Sequence, residues 1–239
     1  MSMSREFLEK ITEQCEPLFQ LNEANVKMYW ENKPSKEDAI EYFSRRMINE
    51  RTNAIQFSRR VSQMPMDTTP EEMFLLSKQA HDEAKHFWFV KDIVESMTGE
   101  PVDVSATFDI IKEKQLRSAS EGRNFPVPSE LLAQFECAND PIAIALYQFI
   151  AEGLAHRNWS MQATVAPTKM IAEKYAEIAK DEKFHAQIGR MQLEKLIVNE
   201  ESLAHATKLS QEIIEILWVF ARAEEDRCIK VHIPVYALD

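Results

Sequence analysis

The segment QAHDEAKHFWFV, residues 79–90, decides how this chain is read. It lies inside a longer run, EEMFLLSKQAHDEAKHFWFVKDIVESM (residues 71–97), whose remaining pattern is that of a buried helix. Two histidines, an aspartate and a glutamate in such a run are costly unless they face water, are paired, or bind a metal. A second segment, KDEKFH at residues 180–185, repeats the Asp-Glu-x-x-His order. Positions three apart share a helix face, so Glu83 with His86, and Glu182 with His185, can each serve one ion.

Two further helical stretches carry one glutamate each among apolar or small neighbours. Glu50 stands in RRMINERTNAIQF, and Glu152 follows IAIALYQFIA, which is apolar on nearly every side. A carboxylate in that second setting needs a counter-charge.

Working outward, the helices define themselves by their ends. Only 4 glycines occur in 239 residues, and runs of β-branched residues are few, so an all-helical chain is expected. Ser35 caps a helix that runs to Pro65, with acids in its first turn. Thr69 as cap and Pro70 as first helical residue open the next, which closes at Gly99. Asp140 with Pro141 opens a third long helix, and Pro167 a fourth. The remaining expectations are an N-terminal helix or helix pair over residues 4–30 broken near Pro17, a helix over 105–120, a loop EGRNFPVP, a short helix from Ser129, and a last helix over about 202–225. The tail VHIPVYALD reads as extended.

Four long helices joined two and two across a longer middle segment suggest an antiparallel four-helix bundle with added N-terminal, middle and C-terminal helices. With no Pro/Ser/Gly-rich linker, residues 1–239 read as one domain with a bundle core over about 35–199.

Composition narrows the function. The 28 Lys+Arg against 39 Asp+Glu give a net charge of −11, which repels nucleic acid and anionic membranes and argues against a nucleic-acid partner. Cys15, Cys137 and Cys228 are odd in number and never form a C-x-x-C pair, so neither a disulfide scaffold nor a rubredoxin-type site is expected. The N-terminus lacks the apolar stretch of a signal peptide and no run reaches membrane-spanning length, so a cytoplasmic location is expected.

The order Glu, Glu-x-x-His, Glu, Glu-x-x-His over four helices resembles the ferritin-like di-iron carboxylate superfamily, whose ligand arrangement is the general rule for that group. The resemblance implies metal ligation by Glu50, Glu83, His86, Glu152, Glu182 and His185, with Glu83 and Glu182 bridging two ions. Four carboxylates offset two divalent cations and leave a neutral ligand shell. Asp82 and Asp181, beside the motif glutamates, are either surface acids or hydrogen-bond partners of ligand histidines on another helix. His156, one turn after Glu152, is a candidate proton relay or extra ligand. Near the ligands, Ala54, Phe57 and Phe87, then Ala145, Phe149, Ala155 and Trp159, then Ala186 and Gly189, suggest a mainly apolar substrate pocket.

Departures sort the branches. Val90 stands where a ribonucleotide reductase small subunit carries its radical tyrosine, and Ile178 where arylamine N-oxygenases carry an extra histidine. The resemblance is strongest to R2-like oxidases and aldehyde-deformylating oxygenases, and implies an O2-activating oxidoreductase with two iron ions or a Mn/Fe pair. Its substrate would be a small, largely apolar organic molecule, and its electrons would come from outside, from a ferredoxin or reductase, since no flavin or nicotinamide fingerprint occurs. A ferroxidase or iron-handling protein is the alternative, and a homodimer stays open. A metal-free helical interaction protein follows only if the Glu/His faces point to water.

Overall fold

The N-terminal helix, α1 (Met3–Glu31), runs unbroken through Pro17. The structure is a computed structural model describing residues 2–120, 135 and 140–230, and within those residues it is all-helical. After α1 come α2 (Lys36–Ser62), α3 (Pro70–Thr98), α4 (Val104–Ser120), α5 (Pro141–Val165), α6 (Lys169–Leu196) and α7 (Glu200–Lys230). The loop EGRNFPVP, the short helix expected from Ser129, apart from Phe135, and the tail VHIPVYALD lie outside the described residues. None of the described helices is long and apolar enough to cross a membrane.

The expected break at Pro17 does not occur. A proline inside a helix removes one backbone hydrogen bond at a cost of roughly 3 kcal/mol. Against that, α1 buries Phe7, Leu8, Ile11, Cys15 and Leu18. At roughly 1.5–3 kcal/mol for each large apolar side chain, burial outweighs the lost bond and holds the helix together.

The caps form where the sequence placed them. Ser35 Oγ accepts from the Asp38 backbone N–H at 3.1 Å, and Thr69 Oγ1 from that of Glu72 at 3.2 Å. Asp140 Oδ1 accepts from the backbone N–H groups of Ile142 and Ala143 at 2.9 and 3.3 Å. Gly99 ends α3 at φ 81°, a backbone state that side chains resist, and a Cβ there would meet nothing within 4 Å. Glycine is therefore needed for its backbone, not for room. Two ends differ from expectation: α6 begins at Lys169 and not at Pro167, with Thr168 as its cap accepting from Ile171 N–H at 3.3 Å, and the last helix extends to Lys230.

The chain divides into two compact units, residues 34–125 and residues 1–33 with 126–239. In the first, α2 and α3 pack along each other as a helical hairpin, and α4, which buries Ile111, rests on α2 and is tied to it by the Lys114–Glu41 ion pair at 2.6 Å. In the second, α5 and α6 form the corresponding hairpin, flanked by α1 and α7. Leu146 and Ile150 of α5 meet Leu8 and Leu18 of α1, Leu193 of α6 and Ile213 of α7 in one apolar core.

Gly189 sets how closely that second hairpin closes. A Cβ there would stand 2.5 Å from Phe149 N, 2.6 Å from Ala145 O and 2.9 Å from Gln148 Cβ. The first two are backbone atoms of α5, which cannot swing aside. The space beside Gly189, expected to belong to a pocket, is filled by helix α5.

Candidate metal centre

Each hairpin brings together one triad. In the first unit Glu50 comes from α2, and Glu83 and His86 from adjacent turns of α3. Their exposures are 4, 0 and 0%, so the sequence HDEAKH turns its Glu and second His inward while His81 remains exposed. One ligand atom from each of the three lies within 4.8 Å of the others. His86 Nδ1 is 3.8 Å from Glu50 Oε2 and 3.8 Å from Glu83 Oε2.

Those two separations are informative. They are too long for hydrogen bonds. They suit two ligands of one ion, since donors each about 2.1 Å from a metal stand roughly 3–4 Å apart.

In the second unit Glu152 comes from α5, and Glu182 and His185 from α6, again buried and within 4.8 Å of one another. His185 Nδ1 and Glu182 Oε2 are 3.0 Å apart, at hydrogen-bonding distance. Since a carboxylate accepts, Nδ1 carries the proton in that contact. An ion bound at Nδ1 would displace it.

Two carboxylates and a neutral imidazole give each triad a formal charge of −2. Isolated ionised carboxylates in a dry interior cost several kcal/mol apiece. A divalent cation neutralises each triad, and the mixed oxygen/nitrogen donor set fits such an ion. Both Glu/His clusters can therefore hold metal.

The neighbouring acids behave differently. Asp82, 2% exposed, pairs with Lys78 and lies 3.9 Å through Oδ1 from Lys85 Nζ, both on its own helix. It is thus supplied with cations from the α3 surface, an ion-pairing role that the sequence reading did not give it. Asp181 is buried on α6. His156 is half-buried and uses Nδ1 to donate to the Ala179 carbonyl at 2.8 Å, tying α5 to α6 and leaving Nε2 as the ring nitrogen for any relay.

The expected pocket residues divide by unit. Ala54 of α2 and Phe87 of α3 line an open groove of about 510 Å³ in the first hairpin, together with Ile55, Ala84, Arg51 and Arg59. Phe57 is buried, with the Arg60 guanidinium 5.5 Å from its ring centre. In the second unit Ala145 and Phe149 sit at the Gly189 crossing. Trp159 is buried and packs on Tyr175 with ring centres 5.3 Å apart. Ala155 and Ala186 are half-buried on α5 and α6.

Some polar residues of these helices carried no warning in the reading of the sequence. Gln79 and Gln148 are fully buried, each one turn before a triad glutamate. A buried amide at that spacing in ALYQFIAE was the available signal. Arg157 forks onto Glu23 and Glu16 of α1, with Nη2 donating to Glu23 Oε2 at 2.9 Å and Nη1 to Glu16 Oε2 at 3.1 Å. These bonds raise the Arg157 pKa and, with help from Gln20, hold the Glu16 carboxyl below its ordinary range. The clamp fixes α1 on α5 a little more than one turn beyond Glu152.

Comparison with protein-family models, with curated proteins and with solved structures finds no match, so the donor chemistry of the two triads is what bears on function.

Proposed function

We propose that the two triads together form one dinuclear metal centre, that α2, α3, α5 and α6 form a ferritin-like four-helix bundle around it, and that the protein is an O2-activating non-haem oxidoreductase. One observation carries this reading: the same buried donor set, Glu plus Glu-x-x-His, is built twice, on two hairpins of similar design. Chance surface acids would not be buried on both. The charge balance of two −2 triads matches two divalent ions.

The bound metals, two iron ions or a Mn/Fe pair, supply the redox chemistry toward O2. The chain's own residues do the rest. Glu50, Glu83, Glu152 and Glu182 would provide the negative charge that retains the ions, and His86 and His185 would ligate as neutral rings. His156, oriented by Ala179, can pass a proton at Nε2. Phe57 in one unit and Trp159 in the other, both buried, exclude water, which favours a small, largely apolar substrate over a polar one.

The test is metal content. After anaerobic Fe(II) loading, wild type should hold two ions per chain, and Glu182→Ala or Glu83→Ala markedly fewer. No bound metal in wild type sinks the proposal. Many iron atoms per chain, with a cage-sized assembly, would favour the ferroxidase alternative. Two ions with substrate-dependent O2 uptake would establish the oxygenase or oxidase.

A further inference from the structure

One side of α2 is unlike an ordinary solvated helix face. Arg51, Ile55, Ser58, Arg59 and Ser62 recur at three- and four-residue spacing, so they lie together along the helix. They wall the open groove of about 510 Å³ that α2 and α3 line jointly. That volume falls in the usual range for a small-molecule site, about 300–1,000 Å³. Along α2 the groove is polar at its two ends and apolar between them. Arg51 stands at one end, and Arg59 with Ser58 and Ser62 at the other. Ala54 and Ile55 lie between, and α3 contributes Ala84 and Phe87. Ala54 and Phe87 come one turn after Glu50 and Glu83, so the groove adjoins the helical turns that carry the first triad.

The charge of the groove is not balanced from within. No Asp or Glu lines it, and both arginines are exposed. Neither has an acid three or four residues away on its own helix, where a pairing carboxylate would stand. Among the described residues neither arginine is held in an ion pair, and the Ser58 hydroxyl has no hydrogen-bond partner. Ser62 Oγ donates to the Arg59 carbonyl at 2.7 Å, so of the two hydroxyls Ser58 is the one with a proton to offer. On a chain of net charge −11, two guanidinium groups beside an apolar floor are a local reversal of sign. Charges further than about 8 Å are screened at physiological salt, so a small anion in the groove senses this pair more than the whole molecule.

The spacing of the arginines selects the shape of the anion. From Arg51 to Arg59 the helix rises about 12 Å. Both Cα–Cβ bonds tilt the same way along α2, so the two side chains start from that separation. A single carboxylate would have to draw both of them inward across it. One carboxylate at each end, joined by an apolar chain, meets each guanidinium in the bidentate geometry that suits it. At roughly 1.2 Å of advance per bond of an extended chain, that span corresponds to about ten carbons. In an open groove both charged ends keep part of their water, while the chain covers apolar surface.

We propose that this groove is a binding site for an elongated dianion, an α,ω-dicarboxylate of about ten carbons. One carboxylate sits on Arg51, the other on Arg59 and Ser58, and the methylene chain runs over Ile55 and Ala84. Binding there requires no metal, so the site stands or falls separately from the dinuclear centre.

Calorimetric titration of the full chain tests it. Decanedioate is the probe, with decanoate and succinate as controls for the second charge and for the length. Wild type, Arg51→Gln, Arg59→Gln and Ala84→Leu would be compared, with circular dichroism and metal content measured alongside. Decanedioate should bind wild type at least tenfold more tightly than either control. Each arginine variant should lose roughly tenfold for decanedioate and bring it to the level of decanoate, the worth of one charge-assisted carboxylate contact. Ala84→Leu, which fills the floor without disturbing helix propensity, should weaken it severalfold. No binding at millimolar decanedioate, decanoate binding as tightly as decanedioate, or folded arginine variants that bind like wild type would each overturn the proposal. Two metals per chain without decanedioate binding would refute this site alone. Binding to a chain that takes up no metal would refute the dinuclear reading and leave the groove standing.

Discussion

Replacing Glu50 by glutamine should stabilise the metal-free protein and destabilise the metal-loaded one. In the α2–α3 triad, donor atoms of Glu50 and Glu83 lie within 4.8 Å of each other, and Glu50 and Glu83 are 4 and 0% exposed. Two unit charges at that distance repel by about 3 kcal/mol at an effective dielectric of about 20. Without metal, glutamine removes that repulsion while keeping size and an acceptor oxygen. Relaxation of the side chains in the metal-free protein takes up part of that repulsion, so the gain should be about 1–3 kcal/mol, or several degrees in melting temperature for a chain of this length. With metal the sign reverses. Ligand at a thousandfold excess over its Kd stabilises wild type by about 4 kcal/mol, and a variant lacking one of three donors loses most of that shift. The assay is thermal unfolding of wild type and Glu50→Gln, each with chelator and with anaerobic Fe(II). A variant less stable than wild type in chelator would show that Glu50 acts as a structural hydrogen-bonding group, and the account of the triad as a charge cluster awaiting cations would be refuted.

Other outcomes follow from single contacts. Gly189→Ala should cost about 1–3 kcal/mol in urea unfolding, despite alanine's better helix propensity, because its Cβ would press on two backbone atoms of α5; an unchanged midpoint would show that the hairpin can open without penalty. For Asp140, burial pushes the carboxyl up, but the contact from His205 and the Ala143 and Ile142 N–H groups outweigh it and leave the pKa below its ordinary range. Its contribution is therefore present above about pH 3.9, the unfolded value, and lost as pH falls through the depressed folded value. The stability gap between wild type and Asp140→Asn should accordingly shrink between pH 5 and pH 3, and a gap that widens on acidification would contradict the sign. Burial pushes the Cys15 thiol up to about 12. It should resist iodoacetamide at pH 8 in the folded chain and react in denaturant, as read by mass spectrometry at that residue.

What could be read from the sequence was what local chemistry decides. Ser35, Thr69–Pro70, Asp140–Pro141 and Gly99 announce helix ends because a cap or a positive φ is a matter of one side chain and its nearest backbone. Glu83–His86 and Glu182–His185 were visible because three-residue spacing alone sets them on one face. Glu50 and Glu152 needed only their apolar neighbours. Pro17 misled because local propensity predicts a break, whereas the α1 core residues around it are held by partners far along the chain. The Arg157 clamp joins residues 134 and 141 positions apart and left no local trace. Gly189 also needed the fold, since only the approach of α5 explains why no side chain can stand there.

The same division explains why the two triads do not resemble each other in detail although their sequences do. Glu83 and Glu182 occupy equivalent motif positions. Yet His86 Nδ1 stands 3.8 Å from its glutamate, while His185 Nδ1 approaches to 3.0 Å. Motif spacing puts both residues on one face but leaves rotamers free. In the first triad Glu50 draws equally near the ring, at 3.8 Å, so the imidazole sits between two carboxylates instead of choosing one. In the second the ring has committed its proton to Glu182. Loading metal at that ring must therefore break its contact with Glu182 and move the proton from Nδ1 to Nε2, a change of tautomer that releases no net proton from a neutral imidazole. At His86 the Glu50 and Glu83 carboxylates stand at 3.8 Å, so no hydrogen bond to them is lost when an ion enters. An ion should accordingly bind the α2–α3 triad more tightly. Fe(II) binding isotherms at one pH for Glu152→Ala, which retains the first triad intact, and Glu50→Ala, which retains the second, would show it. Tighter binding by Glu50→Ala than by Glu152→Ala would show the order to be reversed.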